Sequence, residues 1–406
     1  MRQASITTQL SPSGTDSRHI SVAEVLVRAT EIADFCAVNA AAIDYNGAFP
    51  AKEFEAIASF GLLAAPLQPQ LGGIGLGIDA NVTWELLMLL KQIGRGNLAV
   101  GRIYEGHVNA LQLIQTFGTK AQIETYASDA RDRHKIFGVW NAEAADGVKI
   151  IPQNGKYQLV GAKTFASGSG YVERPFVNGE LPDGGWQMCV VPMEEVATVS
   201  DPAWWQPSGM RATASFKVDF SGVELEAKAL IGQPGDYYRQ PWLSAGVIRF
   251  AAVQLGGAEA LFNATRQFLQ DLGRTLDPHQ QVRLGKMAIA LESGNLWLRG
   301  AADLVQDYAP IFGGYPNTPN EKAEQLVAYA NMVRTAIEQI CIDVMQLCER
   351  SVGTRGLLPP NPMERIIRDL TLYLRQPAYD AAIANVGQYA LSNSTPATSL
   401  WSDESS

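Results

Sequence analysis

The chain has 406 residues, 47% of them hydrophobic and 18% charged, with a formal net charge of -9. That length is enough for a large core in two or three domains, and the acidic balance without a basic stripe excludes a non-specific nucleic-acid or anionic-membrane binder. No window holds the roughly 18 apolar residues of a membrane span. The four cysteines are scattered and the four histidines lack ligand spacing, so a cytoplasmic protein with reduced core thiols and no metal is expected.

Residues 1–20, rich in Ser, Thr and Gln, are expected to be disordered. From Ser21 apolar residues recur every three or four positions through Cys36, the period of a helix with one buried face. Pro50 starts a second helix with Phe54, Ile57 and Phe60 inward. The stretch Leu71-Gly72-Gly73-Ile74-Gly75-Leu76-Gly77 lacks G-x-G-x-x-G spacing and a preceding strand, so a turn between helices suits it better than a dinucleotide loop. Helices are expected over 78–93 and 98–117. On the second, Arg102, Glu105, Asn109 and Gln112 share one face, while His107 falls on the other with Ile103, Ala110, Leu111 and Ile114. The polar face lines a pocket or meets solvent, and His107 is a catalyst or a satisfied core residue; the residues alone leave both open.

Between Phe137 and Gly170 the pattern changes to alternation around Asn154-Gly155, a hairpin signal. Short residues and glycines at its ends (Asn141, Ala142, Ser167, Gly168, Ser169, Gly170) allow a flat ligand close to the backbone. Strand-like pieces continue at Gln187–Val191 and Ser215–Asp219, and helical periods return from Pro241. Segments 243–272, 278–308, 320–350 and 362–391 are each about 30 residues, the length of helices in an antiparallel bundle. The predicted fold class is α+β: an N-terminal helical domain (21–134), a central β-barrel-like domain (135–235), a C-terminal four-helix bundle (236–391) and a disordered tail (392–406).

This order, with F-G-L-L-A-A-P and L-G-G-I-G-L-G, F-G-V-W-N-A-E-A-A-D-G, G-A-K-T-F-A-S-G-S-G, P-S-G-M-R-A-T-A-S, H-Q-Q-V-R-L-G-K-M and P-M-E-R-I-I-R-D-L in sequence, resembles the acyl-CoA dehydrogenase superfamily of flavoproteins. The resemblance implies FAD, with FMN as the lesser alternative. It assigns Val139, Trp140, Asn141, Phe165 and Ser167 to the flavin ring, and Arg274, His279, Gln280, Gly353 and Gly356 to the rest of the cofactor across a subunit interface. Arg102, Asn109 and Arg211 would shape the substrate pocket. A homodimer or homotetramer is implied as well.

The departures bear on the reaction. At the family's two base positions stand Pro377 and Ile248, neither able to take a proton. One reading is a dehydrogenase oxidising an acyl thioester on CoA or acyl carrier protein, with hydride passing to flavin, an electron acceptor downstream, and Glu105 or, second, Asp380 as a non-standard base. Another is a flavin monooxygenase similar to dibenzothiophene monooxygenase, taking a small molecule and oxygen, with His107 and Ser167 stabilising an oxygen adduct. A third is a non-catalytic flavin-binding relative.

Overall fold

The computed structural model describes residues 21–307 and 321–401, so the expectation for residues 1–20 lies outside the described part. The first helix, α1 (Val22–Asn46), begins in a capping box: Ser21 takes the Glu24 N–H, and the Glu24 carboxylate takes the Ser21 N–H at 2.9 Å. Pro50 precedes α2 (Ala51–Ser59), which buries Phe54 and Ile57. The glycine-rich stretch is a compact turn. Its N–H groups go to the chain's own carbonyls, Gly75 to Leu67 at 2.7 Å and Leu76 to Ala65 at 3.1 Å, so they are not free to cradle a phosphate.

Next come α3 (Thr83–Gly96), α4 (Leu98–Phe117) and α5 (Lys120–Arg131). The first starts later than expected, because a 3-10 turn capped by Asp79 occupies Ala80–Val82. Sequence periodicity passes over α5, whose faces are mostly polar, although its Thr119/Gln122 capping box was in plain sight.

The strands are β1 (Phe137–Trp140), β2 (Lys149–Gln153), β3 (Lys156–Val160), β4 (Ala162–Ala166), β5 (Arg174–Glu180), β6 (Trp186–Val190), β7 (Val199–Asp201), β8 (Phe216–Asp219), β9 (Glu224–Leu225) and β10 (Leu230–Ile231). The larger sheet runs β10-β6-β5-β2-β3-β9, and the smaller β4-β8-β7. In the larger sheet β1 pairs parallel with the first half of β5, Phe137 opposite Arg174, and β2 meets β5 only at Glu180. The expected hairpin joins β2 to β3, with Asn154 and Gly155 both at positive φ.

The bundle comprises α6 (Trp242–Asp271), α7 (Pro278–Asp307), α8 (Glu321–Gly356), α9 (Met363–Tyr373) and α10 (Tyr379–Ser392). The single helix expected over 362–391 is therefore two. Pro377 cannot supply a helical N–H, and Ala378 turns the chain at φ 61 before α10 begins. The expected disordered tail is also corrected where it is described: Leu400 is buried and Trp401 packs on Tyr389, ring centroids 5.3 Å apart. Residues 402–406 lie outside the described part.

One continuous core runs from α1 and α3 through the sheets into α6, α8 and α9, and a second fills the space between α4, α5 and β1, β5, β6. Backbones of α3 and α6 touch: a Cβ on Gly256 would come within 2.0 Å of the Lys91 carbonyl oxygen. Only glycine fits there. The contact fixes α6 against the N-terminal domain and holds Arg249, two turns earlier on α6, against α4.

Candidate active site

Three of the four polar residues that helical spacing aligned on α4, Arg102, Glu105 and Asn109, form one hydrogen-bonded group, while Gln112 lines a cleft with Arg249. Arg102 Nη1 donates to Glu105 Oε2 at 2.7 Å, the Asn109 amide donates to Glu105 Oε1, and Arg249 from α6 donates to Asn109 Oδ1. Glu105 and Arg249 are buried, at 4% and 6% exposure, while the Arg102 side chain keeps 27%. Tyr373, at the end of α9, and Tyr237, in the 3-10 turn Asp236–Tyr238, feel the charges of Glu105 and Arg102. The Tyr373 hydroxyl is buried without a hydrogen-bond partner. At Gly106, α4 lies in van der Waals range of β1: a Cβ there would stand 3.8 Å from the Val139 nitrogen.

Burial sets the electrostatics. It pushes Arg249 down to about 10, opposed by Glu105, so the guanidinium stays charged at neutral pH. Burial also works against the Arg102 charge, but Glu105 beside it more than offsets this and holds it above its ordinary value. Burial, with repulsion from Glu105, drives Tyr373 far up, so its hydroxyl keeps its proton.

His107 lies on the opposite face and is fully buried. Its Nδ1 accepts the Phe137 N–H at 3.1 Å, which places the proton on Nε2, and Nε2–H donates to the Leu63 carbonyl at 2.8 Å. Burial pushes it down to about 4, so the ring is neutral. Both nitrogens are committed to backbone, which leaves none for a ligand. Asp380 is exposed in the first turn of α10, where its charge faces the positive end of that helix, and it takes no part in the buried group. The structure thus sets both His107 and Asp380, expected as catalysts, apart from the hydrogen-bonded group around Glu105.

The residues expected to meet a flavin ring fall around the end of β1 and the turn after β4. Trp140 is buried and its indole N–H binds the Ser167 carbonyl at 2.9 Å, so only its backbone is available there. Asn141 follows, its Oδ1 buried and unpartnered, as are both amide atoms of Asn178 on β5; the Tyr237 and Tyr238 hydroxyls stand beside these amides. Phe165 is 51% exposed at φ 50, edge-on to Trp204 at 4.9 Å and Trp205 at 6.0 Å. The Ser167 hydroxyl bonds Ser215 at 2.9 Å, which bonds Thr213 at 2.6 Å. Glu143, next to this turn, is bound by the buried Lys163 ammonium.

The two motifs P-S-G-M-R and R-D-L meet in space. Asp369 accepts the Met210 N–H at 2.6 Å, and Arg368 bridges the Ser208 carbonyl at 2.8 Å to Asp44 of α1 at 2.7 Å. Arg211 itself is exposed at the rim, so it lies outside the buried group with Arg102 and Asn109. Arg274 and His279 are exposed at the α6–α7 end, while buried Gln280 binds the Ser351 carbonyl at 3.3 Å, one turn before Gly356 and beside Gly353, where α8 kinks. This second group is at the far end of the bundle's helices from Arg249. Sequence reasoning missed Arg249, Tyr373, Tyr237, Asn178 and the Trp204-Trp205 pair; a lone arginine in the apolar run V-I-R-F-A-A-V was the available signal for the first.

Residues 27–131 match the family described as acyl-CoA dehydrogenase, N-terminal domain, and residues 248–374 match acyl-CoA dehydrogenase, C-terminal domain. The chain belongs to the acyl-CoA dehydrogenase superfamily. Within this superfamily, dibenzothiophene monooxygenase of Mycolicibacterium goodii is 23% identical over 385 residues, covering 87% of this chain and 90% of that protein. The probable FMNH2-dependent monooxygenase SfnC of Pseudomonas putida is 22% identical over 396 residues, covering 93% and 97%. FMN-bound TdsC from Paenibacillus sp. A11-2 superposes with a TM-score of 0.81 at 22% identity, over 93% of this chain and 100% of that one, a likeness that establishes the acyl-CoA dehydrogenase fold. Ile248, at one of the base positions the resemblance implies, is buried in the core, and Pro377, at the other, has its carbonyl taken by Arg334 at 3.0 Å.

Proposed function

We propose that this protein is a flavin-dependent monooxygenase working on a small molecule with reduced FMN and oxygen. The observation that carries the reading is the state of Glu105. Both of its oxygens are engaged, by Arg102 and by Asn109, so this buried carboxylate is an anchor for its neighbours and not a base free to take a thioester α-proton. The monooxygenase relatives support the same choice over the acyl-thioester dehydrogenase, and the FMN named for TdsC and SfnC favours FMN over the FAD first expected. The unpartnered, buried polar atoms of Asn141, Asn178 and Tyr373 speak against a non-catalytic relative, because such atoms cost stability unless a ligand meets them.

The residues fit a flavin. A flat ring with hydrogen-bonding edges would lie against Phe165 and be met by Asn141, Asn178 and the Ser167 hydroxyl, whose own partner Ser215 orients it. Bound reduced flavin supplies the electrons that activate oxygen. The chain's part is to hold the ring against the β-domain and keep water out with Trp140, Tyr237 and Phe137. On the other side, Arg102, Asn109, Arg249 and Tyr373 would form the polar wall of the substrate site. No helix among the described residues is long and apolar enough to cross a membrane. Val282, Ile289 and Leu296 leave α7 with an apolar stripe at 59%, 71% and 64% exposure, a face that suits the homo-oligomer the family resemblance implies.

The test is anaerobic titration of the FMN-loaded and FAD-loaded protein with butyryl-CoA and octanoyl-CoA. The flavin is expected to stay oxidised in every mixture. Bleaching by either thioester would restore the dehydrogenase reading. In the same samples, Asn141→Leu is expected to weaken FMN binding at least about tenfold, the loss of one buried hydrogen-bonding group, with fluorescence quenching as the readout. Unchanged FMN affinity would remove Asn141 from the flavin site.

A further inference from the structure

The buried group beside α4 carries more positive than negative charge. Arg102 and Arg249 share the single carboxylate of Glu105, which Arg102 contacts directly and Arg249 reaches only through Asn109. Among the described residues no other carboxylate is in charge contact with either guanidinium. Asp79 lines the cleft that Arg249 borders, but it caps Asn81 at 2.9 Å and makes no ion pair with Arg249. A buried guanidinium without its own counter-ion is costly, and proteins keep such an arrangement stable by pairing it with something. The same group includes the Tyr373 hydroxyl, a buried and unpartnered neutral donor in charge contact with Glu105 and Arg102. A charged fork and a spare hydroxyl donor together match an anion with two or more acceptor oxygens.

We propose that the substrate is an organic anion, a carboxylate or an oxyacid of sulfur, whose charged group is received by Arg249 and the Tyr373 hydroxyl. This rests on the reading above only in taking the cavity as the substrate site. Arg102 and Asn109 hold Glu105 so that the carboxylate neutralises one guanidinium and leaves the other for the ligand. The apolar remainder of the substrate lies toward Ile248, Leu86 and Leu87, which line a cleft with Arg249. Neutral molecules of the same shape are discriminated against, since they would leave the guanidinium unpaired.

The experiment is calorimetric titration of the FMN-loaded protein with matched pairs: acetate and acetamide, benzoate and benzamide, octanoate and octanamide. In at least one pair the carboxylate is expected to bind about tenfold or more tightly than the amide. Arg249→Gln is expected to bring that ratio to within about threefold, and Arg249→Lys to keep part of it. Tyr373→Phe, which removes an unpartnered hydroxyl without changing shape, is expected to fold as the parent does and to weaken the carboxylate about fivefold. It serves as the test if Arg249→Gln does not fold. No preference for any carboxylate in the parent, or a preference that survives Arg249→Gln or Tyr373→Phe, overturns the proposal. So does loss of FMN affinity in Arg249→Gln with ligand preference intact, which would assign the charge to the cofactor. Because binding is read without turnover, anion preference can stand while oxygen chemistry fails, and the reverse.

Discussion

Glu105→Gln is expected to lower folding stability by about 3 kcal/mol and to cut turnover per folded molecule by about a hundredfold. The substitution keeps the shape and removes the only carboxylate that, among the described residues, faces Arg102 and Arg249. Two guanidiniums then remain at the cavity with no counter-ion, one of them 6% exposed. Breaking a buried pair from one side costs about 3–5 kcal/mol, and the lower end applies because solvent reaches the Arg102 side chain. Turnover suffers because Glu105 also holds Asn109, which in turn positions Arg249. Urea unfolding and oxygen consumption with reduced FMN measure the two losses. A variant as stable as the parent would show that the group is solvated and not a buried anchor.

His107→Leu is expected to destabilise the fold by a similar amount, about 3 kcal/mol, and to leave flavin chemistry nearly untouched. Leucine leaves the Phe137 N–H and the Leu63 carbonyl unpaired, each costing about 1–3 kcal/mol in a buried site. These two bonds tie β1 and the chain after α2 to α4, so their loss loosens the joint between the helical and β parts. The pH dependence distinguishes this role. The imidazole titrates at about 4 in the folded chain, below its ordinary 6.5. Between those values the unfolded chain binds the proton and the folded chain does not, so His107 makes stability fall as pH drops from about 6.5 toward 4, by about 3 kcal/mol in all. His107→Leu lacks that contribution, and the gap between parent and variant is expected to narrow with acidification. A gap that stays constant would contradict the buried, neutral histidine. Loss of oxygen chemistry in a variant that remains folded and flavin-loaded would return His107 to the mechanism.

The site was half legible in the sequence, and the divide follows the range of the interactions. Arg102, Glu105 and Asn109 are within one helix, where a 3.6-residue period fixes which side chains meet. The same period put His107 on the far face, though periodicity alone does not say whether a buried imidazole is satisfied. Arg249 joins Asn109 across 140 residues, and no local pattern reports such a pairing. Tyr373 looks like any aromatic on an amphipathic helix until its hydroxyl is found buried and alone. In the fold, Asn154-Gly155 marked its hairpin because turn chemistry is local. The break before α10 was hidden because helical periods continue on both sides of Pro377. The tail misled through composition: two apolar residues, Leu400 and Trp401, dock a Ser/Thr-rich segment. Asp380 and Arg211 carried plausible chemistry but are exposed, and exposure depends on packing that motif order does not contain.

The most direct test of the central claim is rapid mixing of the protein, loaded anaerobically with reduced FMN, with oxygenated buffer while the flavin spectrum is followed. A monooxygenase is expected to return to oxidised flavin in two spectrally distinct phases, the first slower to decay in the protein than in free FMN. A single direct return, with hydrogen peroxide released in full yield from the start, would contradict the account.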